Sequence, residues 1–153
     1  LREGAASRDA LIAELMPERA LLERIMAREP DACVLMTDPR RPFVGVGRGR
    51  ALSMHRRYDP ELWQARNAAE ADPSGNAWRA LLVRIGASHV VVDPANAPVL
   101  AKTLAGMGYV VLDRERSIEV RAPASEGMRR CSPGLQSSRD RSGTLSPMQE
   151  EKP

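Results

Sequence analysis

Ser88-His89-Val90-Val91-Val92-Asp93 sets three consecutive valines between polar ends, with Pro94 directly after. An apolar run without polar alternation predicts a strand buried on both faces, and Asp-Pro predicts the opening of a helix. Downstream, Leu100, Leu104 and Met107 recur at helical spacing, and Gly106 and Gly108 close that helix. Tyr109-Val110-Val111-Leu112 is a further strand, Asp113-Arg114-Glu115-Arg116 a short turn, and Ser117-Ile118-Glu119-Val120-Arg121 an alternating segment. The last two segments form a hairpin whose final strand lies at a half-exposed edge.

Working upstream, Trp78, Leu81, Leu82 and Ile85 fall on one helical stripe, with Asn76 as its cap and Gly86 at its end. Asp59-Pro60 reads as an N-cap followed by Pro at the first position of a helix reaching about Ala71, and Asp72-Pro73-Ser74-Gly75 is a turn. Asp38 to Tyr58 holds Pro39, Pro42, Gly45, Gly47 and Gly49, too many breakers for a helix, although Phe43-Val44-Gly45-Val46 suits a short strand. Ala32-Cys33-Val34-Leu35-Met36-Thr37 is a second doubly buried strand. Ser7 to Arg28 is helical, with Leu11 and Leu15 on one face, Leu22, Ile25 and Met26 on another, and a break at Met16-Pro17.

Strands alternating with helices imply an α/β fold: a small three-layer or two-layer domain over residues 7–121 with a mostly parallel sheet of three or four strands and a C-terminal β-hairpin. Val34, Val91 and Val111 are its expected central residues, with Trp78, Leu82 and Leu104 packed on them. Residues 122–153 contain no Val, Ile, Phe, Trp or Tyr and only Leu135 and Leu145 among the larger aliphatics, so a disordered tail is expected.

The 153 residues suit one domain. No apolar run approaches the roughly 18 residues of a membrane span. The chain opens on Leu1 rather than Met and carries no signal-peptide pattern, so it is expected to be a piece of a longer protein. Of 23 basic residues all but Lys102 and Lys152 are arginine, and a net charge of +3 gives no reason to expect a nucleic-acid partner. Cys33 in an apolar run and Cys131 in a polar tail make neither a zinc site nor a disulfide framework.

Asp38, Asp93 and Asp113 each follow an apolar run, where open α/β sheets bind ligands, and clustered carboxylates suit Mg²⁺. Each also has a local use: Asp38 before Pro39 as a turn residue, Asp93 before Pro94 as a cap, Asp113 in the hairpin turn. No metal site and no cofactor is assigned. Gly45-Val46-Gly47-Arg48-Gly49 lacks the third glycine of a dinucleotide fingerprint and the Gly-Lys-Ser/Thr of a P-loop. His55 and His89 complete no catalytic triad; His89, beside Ser88, reads as a structural histidine. Arg40, Arg41, Arg48, Arg50, Arg56 and Arg57 place six cations in 18 residues with no acid between them. They are the candidate residues for an anion or lipid surface.

The succession Leu82 to Val92 (helix end, Gly86, small residue, Ser88-His89, three valines), then Leu104 to Leu112, then Ser117 to Arg121, preceded by Asp31 to Thr37 and by Asp72 to Trp78, resembles the soluble C-terminal domain of bacterial GT-C-type glycosyltransferases. These are integral-membrane enzymes that use polyprenyl-phosphate sugars. The resemblance spans about Pro17 to Pro123. It implies a non-catalytic, extracytoplasmic domain on the periplasmic side of the inner membrane, partnered by the transmembrane portion of the parent protein and by anionic lipid or carrier phosphate. The family's catalytic carboxylates lie in loops between the transmembrane helices, so none carries over to this chain. The tail after Ala122 departs from the family, whose chain ends soon after the last strand. The residues leave two other classes open: a small phosphate- or nucleotide-binding α/β protein using the strand-end aspartates, and a free-standing interaction module using the Arg-rich loop.

Overall fold

The computed structural model describes residues 2–40 and 50–125. The order is α1 (Arg2–Leu15), α2 (Pro17–Arg28), β1 (Cys33–Met36), β2 (Arg50–Ser53), α3 (Pro60–Ala71), α4 (Asn76–Ile85), β3 (His89–Val92), α5 (Pro98–Gly106), β4 (Tyr109–Glu115) and β5 (Ile118–Pro123). The strands form one sheet in the order β2-β1-β3-β5-β4. β2, β1 and β3 run parallel, while β5 is antiparallel to both its neighbours, so the five-stranded sheet is mixed rather than mostly parallel.

The layers follow from period-2 alternation along β1 and β3. Val34, Met36 and Val91 point to one face, where Leu21, Leu22 and Ile25 of α2 cover them together with Ile118 and Val120. Leu35, Val90 and Val92 point to the other, against Trp78, Leu81, Leu82 and Ile85 of α4, Leu62 of α3, and Leu100 and Leu104 of α5. Helices on both faces make three layers and explain why these strands carry no polar alternation. α1 lies against α2 and turns Leu11 and Leu15 to solvent.

Local signals behaved as the sequence predicts at three helix ends. The chain breaks at Met16, which frees Pro17 to start α2. Asp59 Oδ1 accepts the Leu62 N–H at 2.8 Å ahead of Pro60. Gly86 closes α4 in the left-handed region with φ 64°.

Other expectations need correction. β2 at Arg50–Ser53 stands inside the breaker-rich stretch from Asp38 to Tyr58, downstream of the strand suggested at Phe43–Val46; it pairs Ala51 with Val34 and Leu52 with Leu35. The expected strand at Phe43–Val46, the Gly45–Gly49 segment and residues 126–153 of the expected disordered tail lie outside the described residues, whereas Ala122 and Pro123, expected to open that tail, belong to β5, with Ala122 fully buried. Asn76 does not cap α4. Gly75 holds the N-cap position at φ 73°, and Asp72 Oδ2 takes the Ala77 N–H at 2.9 Å instead. α5 begins at Pro98 rather than Pro94, because Ala97, preceding a proline, is driven to φ −140° and ψ 65°.

The largest correction concerns the hairpin. β5, expected at the edge, lies between β3 and β4, and its Val120 is fully buried. β4 takes the edge, so Val111, expected at the centre, is 44% exposed. Asp113 lies within β4; the turn falls after Glu115, at Arg116 with φ 55°. Cys33, expected to be free, is disulfide-bonded; the other cysteine of the sequence, Cys131, lies outside the described residues.

Candidate functional site

The chain leaving β1 turns back to β2 on one side, whereas the chain leaving β3 goes to β4 and β5 on the other. The carboxyl ends of β1 and β3 therefore flank the point where the winding reverses, the usual ligand position in an open α/β sheet. A cleft of about 170 Å³ lies there, lined by Thr37, Asp38, Pro39, Arg40, Arg66, Asp93, Asn96 and Ala97. A void of about 10 Å³ adjoins it, between Glu18, Met36, Thr37, Asp38, Val91, Asp93 and Ile118, at the lower limit for one water molecule.

Each lining side chain is placed by its element. Thr37 Oγ1 donates to the Val91 carbonyl at 2.8 Å, extending the β1–β3 pairing by one residue. Asp38 accepts Arg40 Nε and Nη2 at 2.9 Å each, as well as the Arg40 N–H at 2.9 Å. This fork raises the Arg40 guanidinium above its ordinary pKa through the Asp38 hydrogen bond and charge. Asp93 closes the turn after β3: Oδ1 accepts the Ala95 N–H at 3.1 Å and Oδ2 accepts Asn96 Nδ2. Arg66 reaches the cleft from α3; its Nη1 donates to Asn67 Oδ1 at 3.1 Å, and its buried Nε has no partner among the described residues.

Of the three strand-end aspartates, Asp38 and Asp93 share the cleft and Asp113 does not join them. Arg24 of α2 clamps Asp113 with Nε at 2.8 Å and Nη2 at 3.2 Å, and also reaches Glu115 at 3.0 Å. The Arg24 hydrogen bond holds the Asp113 carboxyl below its ordinary pKa. Among the described residues no group of His, Cys, Asp and Glu is arranged to hold a metal ion.

The six arginines are not assembled by the described structure into one patch. Arg40 stands at the end of β1, matched by Asp38. Arg56 and Arg57 are exposed in the turn after β2, at the same end of the sheet. Arg50 begins β2, and Arg41 and Arg48 lie outside the described residues. His55 packs against Tyr58 at 5.7 Å between ring centroids, and its Nδ1 accepts the Arg57 N–H at 3.1 Å.

At the opposite end of the sheet, Ser88 Oγ lies 3.0 Å from His89 Nδ1, and His89 Nε2 lies 3.5 Å from Glu29 Oε1. The array has the members of a hydrolytic triad, but Ser88 and His89 are 0% and 1% exposed. The Ser88 hydroxyl also accepts the Cys33 N–H at 2.8 Å and donates to the Cys33 carbonyl at 3.1 Å. It bridges the starts of β1 and β3 and is closed off from solvent.

Sequence reasoning missed Arg66 and Asn96. Arg66 is one polar residue among many on α3, and Asn96 signals only through its spacing from Asp93, the i+3 position of a turn. No protein-family model, no curated protein and no solved structure matches the chain.

Proposed function

We propose that this chain is the non-catalytic, extracytoplasmic C-terminal domain of a membrane glycosyltransferase that transfers a sugar from a polyprenyl-phosphate carrier. The observation that carries the reading is the order of elements from α4 to β5: helix, Gly86 cap, buried Ser88-His89 strand, helix and terminal hairpin, the succession on which the family resemblance rests. Two further observations support it. Ser88 and His89 are buried and Ser88 is tied to Cys33, which supports a structural rather than a hydrolytic role. The disulfide at Cys33 suits an oxidising compartment such as the periplasm.

No helix among the described residues is long and apolar enough to cross a membrane, so in this reading the spanning portion is a separate part of the parent protein. The domain covers or braces the membrane active site, with Arg56 and Arg57 available to anionic headgroups or the carrier phosphate. The test is the reading frame upstream of Leu1. Eight or more apolar segments of about 20 residues are expected, and a polyprenyl-phosphate sugar should be consumed by the full-length protein. An upstream frame without such segments overturns the proposal. A second reading, a free-standing small-ligand-binding α/β protein, is favoured by the cleft between β1 and β3.

A further inference from the structure

We propose that the cleft at the carboxyl ends of β1 and β3 binds a single sugar ring, or a polyol of that size, through its hydroxyl groups. The inference deepens the proposed function and rests on that reading for its setting, while the argument for the ligand stands on the cleft's own groups.

Size limits the ligand first. About 170 Å³ is well below the roughly 300–1,000 Å³ of pockets that take drug-sized molecules, so the cleft has room for one ring. Polarity then selects its chemistry. Arg66 contributes donors: among the described residues its buried Nε–H has no partner, it makes no ion pair, and its Nη1 alone is engaged, by Asn67. A buried N–H left open in a folded protein calls for an oxygen from a ligand or water.

Opposite stand acceptors. Each Asp93 oxygen already takes one internal donor and keeps a further lone pair, and Thr37, which also lines the cleft, has donated its Oγ1–H to Val91 and keeps only acceptor lone pairs. Asn96 keeps its Oδ1, because its internal bond uses Nδ2.

A hydroxyl group accepts from Arg66 and donates to Asp93 at once, and neighbouring hydroxyls on one ring repeat that pattern. A phosphate brings acceptors alone and meets the Asp93 carboxylate, while Arg40 is already matched by Asp38. A bare divalent cation meets the Arg66 charge. The mixed donor and acceptor lining therefore fits a neutral polyol better than either ion.

The experiment is a titration of the ¹⁵N-labelled 153-residue chain, followed by NMR, with D-glucose, D-mannose and D-galactose in turn, and with sodium phosphate and magnesium chloride as comparators. At least one sugar is expected to give saturable shifts at the Thr37 and Asn96 amides and at Arg66 Nε–H, with no such response to either salt. Arg66→Gln should weaken that binding at least tenfold while leaving the remaining spectrum in place, and Arg84→Gln, on an exposed position of α4, should leave it unchanged. No saturable shift with any of the three sugars overturns the proposal, as does a stronger response to phosphate or magnesium, or unaltered binding by Arg66→Gln. If the upstream frame lacks membrane segments but the sugar binds, the parent reading fails and the site stands.

Discussion

Trp78 Nε1 donates to Glu70 Oε2 at 2.8 Å, which ties the largest buried side chain of the core to the last turn of α3. The same carboxylate takes the Val99 N–H at 2.9 Å and the Leu100 N–H at 3.3 Å. Ala97, the N-cap of α5, offers no side-chain cap, so Glu70 serves from another helix, and its charge complements the positive end of the α5 dipole. Glu70→Ala removes the cap and strands the indole N–H in the core. A loss of about 2–4 kcal/mol is expected in urea unfolding. Glu70→Gln, which keeps one acceptor oxygen, should lose less than half of that; an equal loss in both variants would show that charge rather than hydrogen bonding holds the α3–α5 junction.

Gly75 is expected to be the least replaceable glycine among those described. Its φ of 73° is costly for any L side chain, and a Cβ there would overlap Thr103 Oγ1, which is itself held by the Val99 carbonyl at 2.8 Å. Gly108 has a similar φ of 79° but open space around it. Gly108→Ala should therefore cost only the backbone term, about 1–2 kcal/mol. Gly75→Ala should cost about 1–3 kcal/mol more, from overpacking. Thermal unfolding of the two variants separates the terms, and equal losses would mean that Thr103 rotates away without penalty.

What the sequence made legible was local. Asp59-Pro60, Met16-Pro17 and Gly86 each act through neighbours a few residues away, so each could be read from its own window. The rank of β4 and β5 in the sheet depends on which hairpin strand inserts beside β3. Tyr109-Val110-Val111-Leu112 has the apolar look of a central strand, yet Glu119 and Arg121 do not exclude β5 from that place. They pair with each other, Arg121 Nε at 2.8 Å from Glu119 Oε2, and Arg121 Nη1 donates to the Ala101 carbonyl of α5 at 2.8 Å. A polar residue in an alternating strand signals solvent only when no partner lies on the helix above it, and that partner is remote in sequence. The same limit hid Glu70, whose partners lie on α4 and α5, and Arg66, whose cleft is completed by residues after β1 and β3. Asp38 and Asp93 were legible as strand-end residues, but their shared cleft depends on β1 and β3 being neighbours.

The Arg24–Asp113 clamp predicts a specific acid limb. The folded Asp113 pKa lies below its unfolded value, so its contribution to stability is present above the ordinary carboxylate range near pH 4 and is lost as pH falls through the folded value. The pair is partly exposed, which limits the contribution to about 1 kcal/mol. Asp113→Asn should lower stability by about that amount at pH 7 and should flatten the decline as pH falls through and below the ordinary carboxylate range. Urea midpoints measured across that range decide it. A variant with the same acid limb as the parent would move the origin of that limb to another carboxylate.

The Arg-rich segment predicts salt-sensitive membrane binding through a subset of its arginines. Arg40 is neutralised by Asp38, so its replacement should matter little. Arg56 and Arg57 are exposed and lie at the same end of the sheet as the cleft. Each basic residue near an anionic surface contributes about 1 kcal/mol, so the double change Arg56→Ser with Arg57→Ser should weaken binding roughly 10–30-fold. Co-sedimentation with vesicles containing phosphatidylglycerol is the measurement, at low and at high salt, with neutral phosphatidylcholine vesicles beside it. Arg48→Ser with Arg50→Ser tests the part of the segment outside the described side chains, and loss there should add to the first. Binding to anionic vesicles that falls with salt and falls again in the double variants assigns these arginines to a membrane-facing surface. Equal recovery on neutral and anionic vesicles at low salt would leave them as solvated charge and remove the membrane-facing role of this segment.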